Sequence, residues 1–372
     1  MRSESTGRRL IPVAEPFLTG NEKNYVFDCL ESGWISGSGK YVEMLEEQFA
    51  AFCGTAHGVS VVNGTAALHV ALLALGVGPG DEVIVPDLTY IASANAVAYC
   101  GARPVFADVD RSTWTVNPED VARRITSRTK AIMPVHLYGH PADMDPILDL
   151  ARAHELFVIE DAAQAHGAEY KSRRVGAMGE VATFSFYGNK IMTTGEGGMV
   201  TTNDLDLAQR VRLLKGQGVD PARRYWFPII GYNYRLTNIQ AAIGLAQFEK
   251  IDWLVERRRE VAMQYRKALQ DLPVSTPCEA AWAKNVYWLY SICVPKGSDR
   301  DFVMNELMKQ GIETRPFFYP MHQMPPYYKE NGNQDFPVST DLGARGINLP
   351  SSANLSDEEI AYIANALRQV LS

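Results

Sequence analysis

Three short segments place polar side chains where an apolar strand passes into the next element. The first is Asn63-Gly64-Thr65-Ala66, the second runs from Glu160-Asp161 to Gln164, and the third joins Ser185 to Lys190. In open α/β sheets, ligands bind at the carboxyl ends of strands. The three segments are therefore candidates for one ligand site.

The first segment has the features of a phosphate-binding turn. A helix that begins near Thr65 offers free backbone N–H groups and the positive end of its dipole. Gly64 allows an anion to approach closely, and the Thr65 hydroxyl adds a donor. Taken alone, so short a motif is more often a plain helix N-cap, and that alternative stays open.

The second segment ends an apolar strand with two carboxylates. A buried carboxylate needs a partner, and a protonated ring nitrogen would suit Asp161. The alternative is again a helix cap.

The third segment carries a lysine that could act as a nucleophile. Lys190 comes four residues after the apolar strand that ends at Phe186 and just before the glycine-rich run 195–198. Burial of a lysine lowers its pKa towards neutrality, which frees the amine to attack a carbonyl carbon. Ser185 could donate to the same phosphate as Thr65. The alternative is a solvated loop lysine, as most lysines are.

The elements that must position these residues alternate between strand and helix. Short β-branched runs are separated by helical patterns of about ten residues, which predicts βαβ units and a mostly parallel, buried sheet. The predicted strands before residue 205 are 58–62, 83–86, 104–107, 131–135, 157–160, 183–186 and 198–202. Residues 237–272 predict one long helix. From about residue 273 the pattern predicts a small α+β unit that ends in a capping box, Ser356-x-x-Glu359, and an amphipathic helix. We expect domains over residues 1–250 and 251–372.

Composition limits the class of protein. The chain has 372 residues, of which 46% are hydrophobic and 21% charged, and a net charge of −7. Such a chain is globular, and nucleic acid is not expected as a partner. No apolar run approaches the ~20 residues of a membrane span. The polar segment 1–9 predicts no signal peptide, and five scattered cysteines predict neither disulfides nor a metal site. These features favour a cytoplasmic protein.

The three segments, in this order, resemble a known family. The chain is similar to the sugar aminotransferases of the DegT/DnrJ/StrS family, which have the fold-type-I architecture of pyridoxal phosphate (PLP) enzymes. That fold has a large domain with a mostly parallel seven-stranded sheet and a small C-terminal α+β domain. The matching segments are 34–39, 63–68, 86–94, 161–166, 185–190, 195–199 and 231–240.

The resemblance implies roles for individual residues. Lys190 is expected to bond to PLP and to move protons during catalysis, and Asp161 to pair with the pyridine nitrogen. Gln164 is expected near the ring hydroxyl and Tyr90 on the ring face. The expected phosphate ligands are Gly64, Thr65, Ala66, Ser185 and, from the other subunit of a homodimer with shared active sites, Asn233.

The resemblance also implies the substrates. L-Glutamate is the expected amino donor. The expected acceptor is a nucleotide-linked 4-keto-6-deoxyhexose such as GDP-4-keto-6-deoxy-D-mannose, in a cell-surface polysaccharide pathway such as that of O-antigen in lipopolysaccharide. Arg315, Tyr319 and His322 are candidate substrate contacts. The basic and aromatic residues 223–226 could serve the nucleotide or a subunit interface.

Other functions stay open or are disfavoured. A UDP- or dTDP-linked keto sugar, aminated at C3 or C4, is an alternative acceptor, and a non-catalytic PLP-binding regulatory protein is an alternative class. An NAD-dependent oxidoreductase is disfavoured because Gly33, Gly37 and Gly39 do not have the spacing of a dinucleotide-binding turn. Lys190 argues against a sugar 3-dehydratase of the same fold, in which a histidine replaces this lysine.

Overall fold

The computed structural model describes residues 10–331 and 335–371. The segment 1–9, on which the expectation of no signal peptide rests, lies outside the described residues. The strands, in chain order, are β1 (His57–Val61), β2 (Glu82–Pro86), β3 (Arg103–Ala107), β4 (Thr129–Ile132), β5 (Phe157–Asp161), β6 (Glu169–Tyr170), β7 (Arg173–Arg174), β8 (Val181–Ser185), β9 (Gly198–Thr202), β10 (Ala283–Lys284), β11 (Tyr290–Cys293), β12 (Arg315–Pro316) and β13 (Gly346–Leu349).

Helices precede, separate and follow these strands. In chain order they are α1 (Glu22–Ser32), α2 (Lys40–Cys53), α3 (Gly64–Ala74), α4 (Ala92–Tyr99), α5 (Pro118–Arg124), α6 (Met144–His154), α7 (Leu205–Lys215), α8 (Asn238–Phe248), α9 (Ile251–Ala268), α10 (Arg300–Lys309), α11 (Pro325–Asn331), α12 (Pro337–Arg345) and α13 (Asp357–Leu371).

A seven-stranded sheet forms the centre of the fold, with the order β1-β9-β8-β5-β4-β2-β3. Only β9 runs antiparallel to its neighbours in this sheet. The strands of this sheet are almost wholly buried, because helices cover both faces of the sheet. Apolar β-branched residues fill both faces. The predicted seven-stranded, mostly parallel sheet and the α/β fold class are confirmed.

A second sheet follows in the C-terminal part, with the order β11-β13-β12 and antiparallel pairing throughout. The capping box before α13 forms as predicted: the Ser356 N–H donates to Glu359, and the Glu359 N–H donates to the Ser356 hydroxyl. Ile312 makes an isolated parallel bridge to Ile11, and the short strand β12 begins after it at Arg315.

Residues 237–272 form two helices, so the prediction of one long helix is wrong. α8 ends at Phe248, and α9 begins at Ile251. The break is held by α1, because Asn21 and Tyr25 donate hydrogen bonds to Glu249 and the Lys250 ammonium pairs with Glu22 at 2.7 Å. The predicted domain boundary after residue 250 lies at this break.

Among the described residues, no helix is both long and apolar enough to span a membrane. Within the same ranges, histidine, cysteine and acidic side chains do not group in threes as a metal site would need.

Candidate active site

The three polar segments meet at one cavity of about 440 Å³ at the carboxyl ends of the central strands. The C-terminal part of the chain supplies the opposite wall through Trp288, Phe318 and Asn348. The sequence-predicted residues that line the cavity are Gly64, Thr65, Tyr90, Asp161, Gln164, Ser185, Lys190 and Arg315.

The N-terminus of α3 forms one end of the cavity. The Asn63 side chain caps this helix and accepts a hydrogen bond from the Ala66 N–H at 2.8 Å. The Ala66 N–H is therefore engaged within the turn, and Ala66 does not line the cavity, so its predicted phosphate contact stays a prediction. The N–H groups of Gly64 and Thr65 belong to the first turn, which has no intrahelical acceptors.

Gly64 lies tightly against the end of β8. A Cβ atom at Gly64 would be 2.8 Å from the Cβ of Ser185, closer than side-chain carbons approach each other. Glycine is required here because it brings the first turn of α3 beside the Ser185 hydroxyl. Two backbone N–H groups and the hydroxyls of Thr65 and Ser185 thus border one end of the cavity, and this donor set suits a phosphate.

Asp161 ends β5 at the cavity wall. Its carboxylate accepts hydrogen bonds from the Ser93 hydroxyl at 2.8 Å and from the Ala163 N–H at 3.2 Å. Burial raises the pKa of Asp161, and the bond from Ser93 opposes that rise. A cationic ring nitrogen in the cavity would offset the cost of burying this carboxylate.

The neighbouring Glu160 has a different role. It is fully buried and accepts hydrogen bonds from the N–H groups of Gly176, Met178 and Gly179 and lies 3.2 Å from a ring nitrogen of His136. Burial raises the pKa of Glu160, but these contacts together lower it by more, so the net pKa is below its usual value. Glu160 therefore fixes the chain between β7 and β8.

Lys190 lies in the turn that follows β8, and its Nζ atom is 3.8 Å from the centre of the Trp288 ring. Burial lowers the pKa of Lys190 to about 7, and the Asp161 charge acts in the opposite direction. At that pKa a large fraction of the amine is neutral near pH 7, as a nucleophile requires.

Gln164 and Tyr90 border the middle of the cavity. The Oε1 atom of Gln164 accepts a hydrogen bond from the Tyr138 N–H at 2.8 Å, so its Nε2 group is the end of the amide that can donate to a ligand. Tyr90 lies 5.6 Å from Phe318, which stacks on Tyr138 at 5.4 Å. An aromatic wall thus runs from Tyr90 across Phe318 to Tyr138.

Besides Ala66, three predicted residues do not line this cavity. Asn233 is exposed and accepts a hydrogen bond from Arg235 at 3.1 Å. Tyr319 is half exposed beside the guanidinium of Arg300. His322 is buried, with Nδ1 2.7 Å from a carboxylate oxygen of Asp87. Their predicted contacts with cofactor or substrate stay predictions.

Three buried histidines and the cluster 223–226 are not among the residues that line the cavity. His136 and His140 are hydrogen-bonded to protein groups. His166 lies among Phe49, Phe184 and Phe186 behind the cavity. Burial lowers its pKa to about 3. The cluster 223–226 is exposed, with Arg223 over Trp226 and Arg224 over Tyr225.

Sequence reasoning missed Ser93 and Trp288 as site residues. Ser93 lies in the first turn of α4, and a serine there indicates no more than a helix start. Trp288 precedes β11 in a run of apolar residues, and that pattern indicates core packing. The only signal for Ser93 was its place in the matching segment 86–94.

The donor set fits PLP. The phosphate would lie at the N-terminus of α3, the pyridine nitrogen against Asp161, the ring beside Tyr90 and the aldehyde carbon within reach of Lys190. Each group of the cofactor thus has a chemically matched partner among residues that line one cavity.

Comparisons with known proteins agree with this chemistry. Residues 16–368 match the model of the DegT/DnrJ/EryC1/StrS aminotransferase family. The chain is 53% identical to the GDP-perosamine synthase of Caulobacter vibrioides, with 97% of this chain and 98% of the relative covered. It is 50% identical to the GDP-perosamine synthase of Escherichia coli O157:H7, with 98% and 99% covered. Among solved structures, DesV of S. venezuelae in complex with a ketimine intermediate is 38% identical, with 94% of each chain covered and a TM-score of 0.89.

Proposed function

The chain belongs to the DegT/DnrJ/EryC1/StrS aminotransferase family, and from this premise we propose that it makes GDP-perosamine. The enzyme is a PLP-dependent transaminase. It takes the amino group of L-glutamate and transfers it to C4 of GDP-4-keto-6-deoxy-D-mannose. The single observation that carries this proposal is full-length identity of about half with two GDP-perosamine synthases. The cavity supports it, because its lining includes matched groups for the phosphate, the ring nitrogen and the aldehyde of the cofactor.

PLP supplies an aldehyde carbon that takes up an amino group and a ring that accommodates the electrons of a broken C–H bond. The protein's part is to hold, orient and move protons. Asp161, buried at the end of β5, would keep a proton on the ring nitrogen in its ionised form, which the hydrogen bonds from Ser93 and Ala163 favour against the effect of burial. Gly64, Thr65 and Ser185 hold the phosphate at the end of α3.

Lys190 performs the proton transfers. Its Nζ atom is neutral in a large fraction of molecules near pH 7, because burial lowers its pKa. A neutral amine beside the amino donor can remove the proton from Cα and deliver it to the carbon that was the aldehyde carbon of the cofactor. The same amine serves in the reverse sense when the keto sugar accepts the amino group.

Arg315 is the cationic residue of the cavity's C-terminal wall. We assign to it the pyrophosphate of the nucleotide sugar, since a guanidinium binds phosphate oxygens in a bidentate way. We assign Tyr319 and His322, which follow Arg315 along the chain, to the hexose end of the same ligand. The contact with Asp87 fixes the orientation of the His322 ring.

We further propose a homodimer that shares its active sites. Asn233 is exposed in the single chain, which supports its assignment to the phosphate of the partner subunit's cofactor. Tyr225, Trp226, Phe227 and Ile230, all exposed, form an apolar surface on the preceding loop that a second copy would cover. Four buried free cysteines support a cytoplasmic location, because reducing compartments keep thiols unpaired.

The function is tested with the purified protein, PLP and L-glutamate. GDP-4-keto-6-deoxymannose should be converted to GDP-perosamine, identified by mass and by NMR, and the Lys190→Ala variant should form none. The UDP- and dTDP-linked keto sugars serve as competing acceptors. If one of them is turned over faster, the nucleotide assignment is wrong. If PLP binds but no keto sugar accepts the amino group, the regulatory alternative is favoured.

A further inference from the structure

Trp288 forms a flat support directly beside the amino group of Lys190. Nζ of Lys190 lies 3.8 Å from the centre of the Trp288 ring, and Trp288 is 4% exposed. A cation over an aromatic face is attracted to it, most strongly over tryptophan and where water is excluded. Among residues 10–331 and 335–371, no hydrogen bond or ion pair within 4 Å engages this Nζ atom, and the indole face is the aromatic surface over which it lies.

Contacts on several sides fix the ring of Trp288. Its Nε1–H donates to the backbone oxygen of Asn189 at 2.7 Å, and its own backbone oxygen accepts from the buried Arg258 at 2.8 Å. Arg258 also donates to the Ser351 oxygen, and Tyr138 stacks on the indole at 6.2 Å. The ring is therefore preformed and joined to the residue next to Lys190.

The charged groups that face Lys190 do not replace this contact. Asp161, Glu196 and Arg315 line the same cavity. The Asp161 carboxylate is already engaged by Ser93 and Ala163. His166 is neutral near pH 7, because burial lowers its pKa to about 3. Among these groups, the charge of Asp161 favours the protonated form of Lys190. The group that Nζ directly contacts is the indole face of Trp288.

We propose that Trp288 is a positioning residue whose indole face holds the Lys190 amino group whenever that group is not bonded to the cofactor. This inference rests on the proposed function, in which Lys190 is released from the cofactor in each half-reaction. A free lysine side chain has many rotamers, and their restriction costs conformational entropy. The preformed ring of Trp288 limits them in advance and keeps Nζ at the cavity wall as the proton carrier.

The direct test weakens the indole face without changing its shape. Tryptophan with one, two or three fluorine atoms is introduced at position 288 in the full chain loaded with pyridoxamine phosphate, in which Lys190 is free. The pKa of Lys190 is read by NMR from ¹³C-labelled lysine, with the signal assigned through Lys190→Arg. We expect the pKa to fall stepwise with each fluorine, by about half a unit to one unit in total. A pKa that is the same across the series would overturn the proposal.

Two substitutions separate the ring face from the N–H group. Trp288→Phe keeps a face but loses the bond to Asn189, whereas Trp288→Leu loses both. We expect kcat to fall about tenfold in the leucine variant and less in the phenylalanine variant, with the KM for the keto sugar changed less than twofold. Equal losses in both variants would contradict a role for the face. Trp253→Phe is the control, since that ring stacks on Phe17. The fluorinated series still decides the question if the leucine variant does not fold.

The readouts also separate this proposal from the proposed function. Absorbance shows whether the chain binds the cofactor. If the chain does not bind it, the proposed function is overturned. With cofactor bound, a flat series of pKa values would overturn only the role of Trp288.

Discussion

The hydroxyl of Ser93 donates a 2.8 Å hydrogen bond to Oδ2 of Asp161, which joins the first turn of α4 to the end of β5. This bond favours the ionised form of a buried carboxylate whose pKa burial raises. The charge that is to attract the ring nitrogen of the cofactor thus depends on a residue 68 positions away in the chain.

The first prediction concerns Ser93→Ala. The loss of this bond should raise the pKa of Asp161 further and weaken PLP binding by roughly tenfold, since hydrogen bonds to charged groups contribute about 1.5–3 kcal/mol. Titration of the variant with PLP, followed by absorbance, measures the change. Ser298→Ala, in the loop before α10, is the control and should bind PLP normally. Equal affinities in the two variants would show that Asp161 does not need Ser93.

The second prediction concerns the close approach of Gly64 and Ser185. In Gly64→Ala the new methyl group must displace Ser185 or the first turn of α3, because its carbon would lie 2.8 Å from the Ser185 Cβ. We expect PLP affinity to fall about tenfold or more, which corresponds to a loss of about 1.4 kcal/mol or more of binding free energy from the phosphate contacts. Pyridoxal, which lacks the phosphate, should bind with the same affinity to Gly64→Ala and to the unmodified chain.

The control for this substitution is Gly78→Ala. A Cβ at Gly78 meets no atom within 4 Å, so this variant should match the unmodified chain in stability and PLP affinity. If Gly64→Ala also binds PLP normally, the phosphate does not lie at the N-terminus of α3.

Local sequence patterns predicted the central sheet and the polar residues at its edge. β-branched runs between helical segments predict buried parallel strands, and Asp161 ends one such strand while Lys190 lies in the turn after another. The break between α8 and α9 was not predictable in this way. It contains neither proline nor glycine, and it depends on bonds from Asn21 and Tyr25, which lie 228 and 224 positions earlier in the chain.

The active site also contains features that local sequence patterns could not predict. Trp288 precedes a strand in an apolar run, and its function beside Lys190 depends on a contact to Asn189 across 99 positions. Cys278 is a smaller case: a free cysteine is usually buried, as the other four are, but this one is exposed. Local sequence patterns indicate which face of a helix or strand is buried. Contacts between residues far apart in the chain, such as Trp288 and Asn189, depend on how the elements pack against each other.

The third prediction concerns the pH dependence of cofactor capture. Burial lowers the pKa of Lys190 to about 7, and only the neutral amine attacks an aldehyde. The rate at which the cofactor-free chain takes up PLP should therefore rise with pH up to about 7 and level off above it. Stopped-flow absorbance measures this rate. Nα-acetyl-lysine is the control, because its amine has an ordinary pKa and its rate should still be rising near pH 10. A protein profile that also rises to pH 10 would contradict burial of the amine.

The fourth prediction tests the shared active site of the proposed dimer. If Asn233 reaches the partner subunit's cofactor, each site takes Lys190 from one chain and Asn233 from the other. Lys190→Ala and Asn233→Asp should each be inactive alone, the second because a carboxylate would repel the phosphate. After the two variants are unfolded and refolded together in equal amounts, half of the dimers are mixed and each mixed dimer has one intact site. We expect about a quarter of the normal activity to return, as random pairing of subunits requires. The control is the same treatment of each variant alone, and no recovery in the mixture would mean that Asn233 serves its own chain.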